Sequence, residues 1–380
     1  MYKFYIFFIS IFVFYACNTE ENKVKNSIKT NKSISTNKIE RRWFENIKKD
    51  SSNVLFIVLD PHGDALLAKN ILKPICNDFN INMISPYTVK NNSFDYIRQI
   101  DLCIKQYPQE NQQIYLVGFS GGAKMAFQYA IRHSEKVKGL IMCGAGIGKL
   151  IKKTLPFPLV MIAGEDDFNM IEQYYSPFDA QILKNSNVIS LIFNGKHEWP
   201  DSSILKLATE FVFSKSSILK LNKNKIWSKY KNAVKNNNAL KSYKYLEMLY
   251  KNNPKDKQVY NGLKEILQNK SFQKEIIKFE SILQTEQKRN QILTQNLYDK
   301  DFVYWRTKIN KINKIISDKN NPNSTSYTRT KAFLGVATYS LCQREIQNPQ
   351  SNQIQKLLEI YELLEPNNKE MLRMKEIISR

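Results

Sequence analysis

A serine set among glycines, Gly118-Phe119-Ser120-Gly121-Gly122, follows directly on the apolar run Ile114-Tyr115-Leu116-Val117. The residues after it, Ala123-Lys124-Met125-Ala126-Phe127-Gln128-Tyr129-Ala130, have the composition and spacing of a helix. A strand that enters Gly-x-Ser-x-Gly and leaves as a helix makes a sharp turn, which lifts one hydroxyl above the end of a sheet for nucleophilic attack. A backbone bent this tightly has no room for Cβ atoms beside the serine, and glycine would also supply any positive φ the turn needs. The helix that starts after Ser120 aims its amide N–H groups at whatever the serine attacks. Glycine is scarce, 12 of 380 residues, which argues against an accidental match. A serine hydroxyl keeps its proton near neutral pH and needs a base to remove it. Three histidines could act as that base: His62, His133 and His197. His133 lies late in the helix after the serine, on the polar stretch Arg132-His133-Ser134-Glu135, and reads as structural. Two further segments carry usable groups, the acidic Gly164-Glu165-Asp166-Asp167-Phe168 and Phe193-Asn194-Gly195-Lys196-His197-Glu198-Trp199-Pro200.

These segments all sit at the ends of buried-strand patterns. Val54-Leu55-Phe56-Ile57-Val58-Leu59 is β-branched and aromatic, as a covered strand is. Further strands are predicted at 114–117, 137–143, 159–163 and 188–193, with a helix over 93–107. Strands that alternate with helices require right-handed crossovers and a mostly parallel sheet covered on both faces. Residues 41–214 therefore read as an α/β domain. After Phe213 the pattern changes: glycine nearly disappears and helical spacing takes over, as in Val259, Leu263, Ile266 and Leu267. Residues 215–380 are predicted to be all-α.

The elbow, in this setting, resembles that of the α/β-hydrolase superfamily, with small esterases of the dienelactone-hydrolase and polyhydroxybutyrate-depolymerase type the nearest in kind. The resemblance implies a relay of serine, acid and histidine in that chain order. It selects Asp167, three residues after Gly164, as the acid, with Asp166 and Glu165 as close rivals. It selects His197, in Gly-x-His after the last strand, as the base, and it leaves His62 ahead of the serine to shape a loop. It further implies an oxyanion site built from the amide of Gly121 and one N–H from Asp60-Pro61-His62-Gly63-Asp64, either Gly63 or Asp64. The expected activity is that of a serine hydrolase without metal or cofactor, acting on short acyl esters or ester-decorated polymers through an acyl-enzyme. The same relay also serves peptidases and acyltransferases, and an inactive binding protein is the alternative of a different class. The segment between Cys143 and Leu159 is short, so an open site is expected, with Phe119 and Trp199 at its entrance and Phe168 on the leaving-group side.

The remaining features concern location and partners. Met1-Tyr2-Lys3, the apolar run Phe4 to Phe14 and Tyr15-Ala16-Cys17 read as an export signal over residues 1–17. The segment resembles a bacterial lipoprotein signal, which implies lipidation of Cys17, a tether over 18–40 and anchorage to a membrane, expected to be the outer membrane, facing the periplasm or the surface. Two segments, Ile226 to Pro254 and Ala332 to Pro366, resemble tetratricopeptide units in closing a helix pair with proline. Such an array is expected to recruit a protein or polymer. The formal charge of +22 is scattered among asparagines with no basic face, so nucleic acid is not expected. Cys76, Cys103, Cys143 and Cys342 have apolar neighbours and no metal-site spacing.

Overall fold

The structure, a computed structural model, describes residues 43–46, 53–87, 89–90, 95–106, 112–148, 150, 154–318, 320–347 and 353–378. The signal over 1–17, Cys17 and the tether over 18–40 lie outside the described residues. No described helix is long and apolar enough to cross a membrane.

Seven strands form one sheet: β1 (Trp43–Asn46), β2 (Val54–Leu59), β3 (Asn82–Pro86), β4 (Gln113–Phe119), β5 (Val137–Cys143), β6 (Leu159–Gly164) and β7 (Val188–Phe193). Their order is β1-β3-β2-β4-β5-β6-β7. All neighbours are parallel except β1, which pairs antiparallel with β3. The five strands expected from the apolar runs are present. The pattern did not announce β1 and β3, because neither is an unbroken apolar run: β3 contributes Asn82, Ser85 and Pro86 to its five residues.

The alternation of side chains along each strand splits the core in two. Phe56, Val58, Tyr115, Val117, Ile141, Cys143, Val160 and Ile162 face one layer. Leu55, Ile57, Ile114, Leu116, Leu140, Met142, Leu159 and Met161 face the other. The first layer is covered by α1 (Ala65–Asp78) and α6 (Ser202–Lys215), the second by α2 (Tyr96–Gln106) and α3 (Gly121–Arg132). Local chemistry sets the helix starts. The Asp64 carboxylate accepts the Leu67 N–H at 2.9 Å to cap α1, and Asp201 caps α6 through Ser203 and Ile204. Two short helices, α4 (Met170–Gln173) and α5 (Ala180–Lys184), lie between β6 and β7.

Eight helices follow in the described residues: α7 (Lys223–Lys235), α8 (Ala239–Asn252), α9 (Lys257–Gln268), α10 (Lys270–Asp299), α11 (Phe302–Ser317), α12 (Ser324–Ile346), α13 (Ile354–Leu364) and α14 (Lys369–Ile378). They share the core of the sheet. Leu221, Ile226, Met248, Leu249 and Val259 belong to the same apolar cluster as Phe56, Tyr115 and Phe213. Farther out, Trp305, Ile309, Leu334, Cys342, Leu357 and Tyr361 form a second core within the helices themselves. The two segments expected to be helix pairs ending at proline are the pairs α7–α8 and α12–α13. Between them α10, thirty residues long, meets the sheet domain where Phe272 lies against Phe178, and where Phe279 and Glu280 meet Tyr174.

Candidate active site

Ser120 stands between the end of β4 and the first residue of α3, at φ +49° and ψ −121°. This is the strained conformation that an elbow imposes, and an L-residue holds it only where its surroundings fix it. The Ser120 N–H is fixed by the Cys143 carbonyl at 2.8 Å. Positive φ is expected at the neighbouring glycines; the serine carries it instead. The glycines are needed for close approach. A Cβ on Gly122 would come within 2.1 Å of the Leu59 carbonyl oxygen, and one on Gly118 within 2.6 Å of Ala123 Cα.

His197 reaches both other members of the expected relay. Its Nε2 lies 2.9 Å from Ser120 Oγ, and its Nδ1 lies 2.9 Å from Asp167 Oδ1. The ring sits between two aromatics, Phe119 at 4.8 Å and Phe168 at 4.3 Å between centroids. Asp167 is fully buried, and its Oδ1 also accepts the Asn169 N–H at 2.8 Å. The Asn169 side chain in turn donates to the Gly144 carbonyl at 2.7 Å, which ties the acid to the end of β5. In the tautomer that gives Nδ1–H to the carboxylate, Nε2 faces the hydroxyl and is placed to accept its proton.

The rival acids point elsewhere. The Glu165 carboxylate pairs with Lys241 at 2.7 Å. The Asp166 carboxyl sits near Thr325, Arg329 and Lys196, and burial raises it above the ordinary carboxylate range against the pull of Arg329. The acid turn and the histidine loop are pressed together backbone to backbone. Glu165 and Asp166 donate their N–H groups to the carbonyls of Phe193 and Gly195, both at 2.9 Å. A Cβ on Gly164 would fall 2.3 Å from the Gly195 oxygen, so this contact admits only glycine.

The loop after β2 is organised around a residue that pattern alone did not single out. Asp60 is buried, and its Oδ1 accepts N–H groups from His62 at 2.8 Å and Asp64 at 3.2 Å. Its Oδ2 accepts the Trp199 indole N–H at 3.1 Å, and its carbonyl accepts the Gly63 N–H at 3.1 Å. Both expected oxyanion donors of this loop are therefore engaged by Asp60: Asp64 by the buried carboxylate, which draws nearby amides to itself, and Gly63 by the main-chain oxygen in a tight turn. The amide of Gly121, at the first position of α3, has no acceptor within the helix. Trp199 and Phe119, expected at the entrance, lie against each other at 5.4 Å, and Phe119 in turn contacts the histidine ring. An acidic residue closing a strand just ahead of the loop is the signal that would have found Asp60. His62 is exposed, and His133 lies against Tyr129 at 4.5 Å, far along α3 from the serine.

A protein-family model described as alpha/beta hydrolase fold matches residues 73–185. The fold is that of an α/β hydrolase. Among solved structures, the chain is similar to MenH from S. aureus, with 13% identity, a TM-score of 0.36, and coverage of 47% of this chain and 100% of that one. It is also similar to Est1E from Butyrivibrio proteoclasticus, with 12% identity, a TM-score of 0.35, and coverage of 46% and 94%. A third is FphF, a fluorophosphonate-binding serine hydrolase of Staphylococcus aureus, with 13% identity, a TM-score of 0.31, and coverage of 43% and 87%. No curated protein matches the chain.

Proposed function

We propose that this protein is a serine hydrolase that cleaves carboxylic esters through an acyl-enzyme. One observation carries the reading: a strained serine, a histidine and a buried carboxylate are joined by two contacts of 2.9 Å in the order a proton relay requires. In this reading His197 takes the Ser120 proton as Oγ attacks the acyl carbon, and Asp167 holds the imidazole and stabilises its charged form. The negative charge that grows on the acyl oxygen meets the Gly121 N–H. A second donor, from Gly63 or Asp64, exchanges its bond to Asp60 for the substrate oxygen. His197 then returns the proton to the departing alcohol, and water activated by the same nitrogen releases the acid.

The short crossover between Cys143 and Leu159 supports small or polymer-borne esters over long-chain fats. The amino-terminal pattern ending in Ala16-Cys17 supports export and lipid anchorage through Cys17, which palmitate labelling of wild type against Cys17→Ala tests. The activity is tested with a fluorophosphonate probe followed by p-nitrophenyl esters of graded chain length. Wild type takes the label and Ser120→Ala does not. A folded wild-type chain that takes no label overturns the reading and favours a binding protein.

A further inference from the structure

The turn that carries Asp167 is gripped from the helical region, far away in sequence. Arg329 on α12 is almost fully buried, with a side-chain exposure of 2%. Its guanidinium donates to both oxygens of Glu286 on α10, at 2.7 to 3.1 Å. Its remaining arm, Nη1, donates to the main-chain oxygen of Glu165 at 2.7 Å. Glu165 lies two residues before Asp167, and its own N–H is bonded into the histidine loop at Phe193.

A second cation works from the other side. Lys241, in the first turn of α8, pairs with the Glu165 carboxylate at 2.7 Å and also donates to the Asn194 side chain, three residues before His197. The carboxylate of Glu286 presets the Arg329 fork, so the guanidinium meets the turn with little entropy left to lose. Both loops of the relay are thus fastened to helices that an α/β sheet does not itself require.

We infer that Arg329, held by Glu286 and seconded by Lys241, is a positioning residue through which the helical region sets the reactivity of Ser120. The inference rests on the serine-hydrolase reading. A loosened acid turn changes the Asp167–His197 alignment, and misplacement by about 1 Å costs up to about a hundredfold in rate. Ester binding depends on other groups, so the loss falls on kcat.

The test uses the full-length chain with p-nitrophenyl acetate and the fluorophosphonate probe. Arg329→Lys keeps a cation beside Glu286 but has no fork to span Glu286 and the Glu165 carbonyl. It is expected to lower kcat and the labelling rate about tenfold, with KM changed by less than about twofold. Lys241→Met, at a partly exposed pair, is expected to lower kcat about threefold and carries the test if Arg329→Lys does not fold. Trp305→Phe, in the outer helical core, serves as a control that loses stability without touching the turn. Wild-type kcat in the folded substituted chains, or an equal loss in a Trp305→Phe chain of matched melting temperature, overturns the inference. A wild type that takes no label removes the hydrolase reading and this one with it. A labelled wild type with unaffected Arg329→Lys and Lys241→Met removes only this one.

Discussion

Three adjacent acids, Glu165, Asp166 and Asp167, differ less in chemistry than in what the turn makes them face. Asp167 gives Oδ1 to the His197 ring and the Asn169 amide, while its Oδ2 is buried with no hydrogen-bond partner among the described residues. In the proposed relay such a carboxylate stabilises the positive charge that appears on the imidazole. Asp167→Asn is accordingly expected to cut the fluorophosphonate labelling rate by about 10³–10⁴-fold, because an amide in place of the acceptor favours the wrong imidazole tautomer. Asp166→Asn should stay within about threefold of wild type, a loss too small for a relay member. The second-order labelling rate decides between them, and a larger loss at Asp166 would move the acid one residue back. Ser120 and His197 were legible in the sequence, the first from its glycines and the second from its strand end and the scarcity of histidine. The choice among the acids was not legible from the residues alone, since the partners that turn Glu165 and Asp166 away, Lys241, Thr325 and Arg329, lie far along the chain. Nor was Asp60, whose value lies in gathering amides from one loop and an indole from another.

At the scale of elements, α8 is the joint between sheet and helices, and it is joined by charge as well as by apolar contact. Lys244, Glu247 and Lys251 lie at its buried face, with Lys244 and Lys251 at 3.3 and 2.8 Å from the Glu247 carboxylate. Lys251 also donates to the Val188 carbonyl at 2.7 Å, and the Tyr175 hydroxyl donates to Glu247 at 2.8 Å. Two ammonium groups face one carboxylate, so one buried cation is in excess. Burial pushes Lys244 down to about 8, with Glu247 opposing the shift and Lys251 adding to it. Despite its burial, the two lysines hold the Glu247 carboxyl below its ordinary range. A lysine whose folded pKa is depressed leaves the unfolded chain holding the extra proton between about pH 8 and 10.5, so its penalty on stability fades as pH rises through that window. Lys244→Met is therefore expected to stabilise the protein at pH 7 by about 1–2 kcal/mol, since Glu247 keeps Lys251 and Tyr175 as partners. The advantage should shrink toward pH 10.5. Urea melts of both chains at pH 7, 9 and 10 check the sign and the trend. A less stable Lys244→Met at pH 7 would mean that the ammonium over the Tyr175 ring, 3.4 Å from its centroid, outweighs the cost of burying it. The helical spacing after Phe213 announced these helices, but not that α8 turns polar residues toward a strand, because a buried lysine reads as surface until its partners are known.

For the whole molecule, the decisive fact is that the sheet ends at β7 and helices cover that end. An edge strand carries unpaired main-chain groups that invite aggregation unless they are covered. Here α8 bonds to β7 through Lys251, and Leu221, Ile226, Met248 and Leu249 complete the apolar layer that begins with Phe56, Tyr115 and Phe213. The composition changes near Phe213, but the apolar cluster of the sheet continues past it into Leu221, Ile226, Met248, Leu249 and Val259. A chain ending at Lys215 would expose that layer and lose both cations that grip the acid turn. It is expected to be insoluble or to elute as aggregates on size exclusion, and any soluble fraction should label at least about tenfold more slowly than the full chain. The full chain should melt in one transition, with far-UV circular dichroism and tryptophan fluorescence coinciding, because the tryptophans lie on both sides of the joint: Trp199 beside the relay, Trp227 on α7 and Trp305 on α11. Two separated transitions, or a truncated chain that is monomeric and labels at the full rate, would show instead that the sheet domain stands alone and that the helices are an attachment to it.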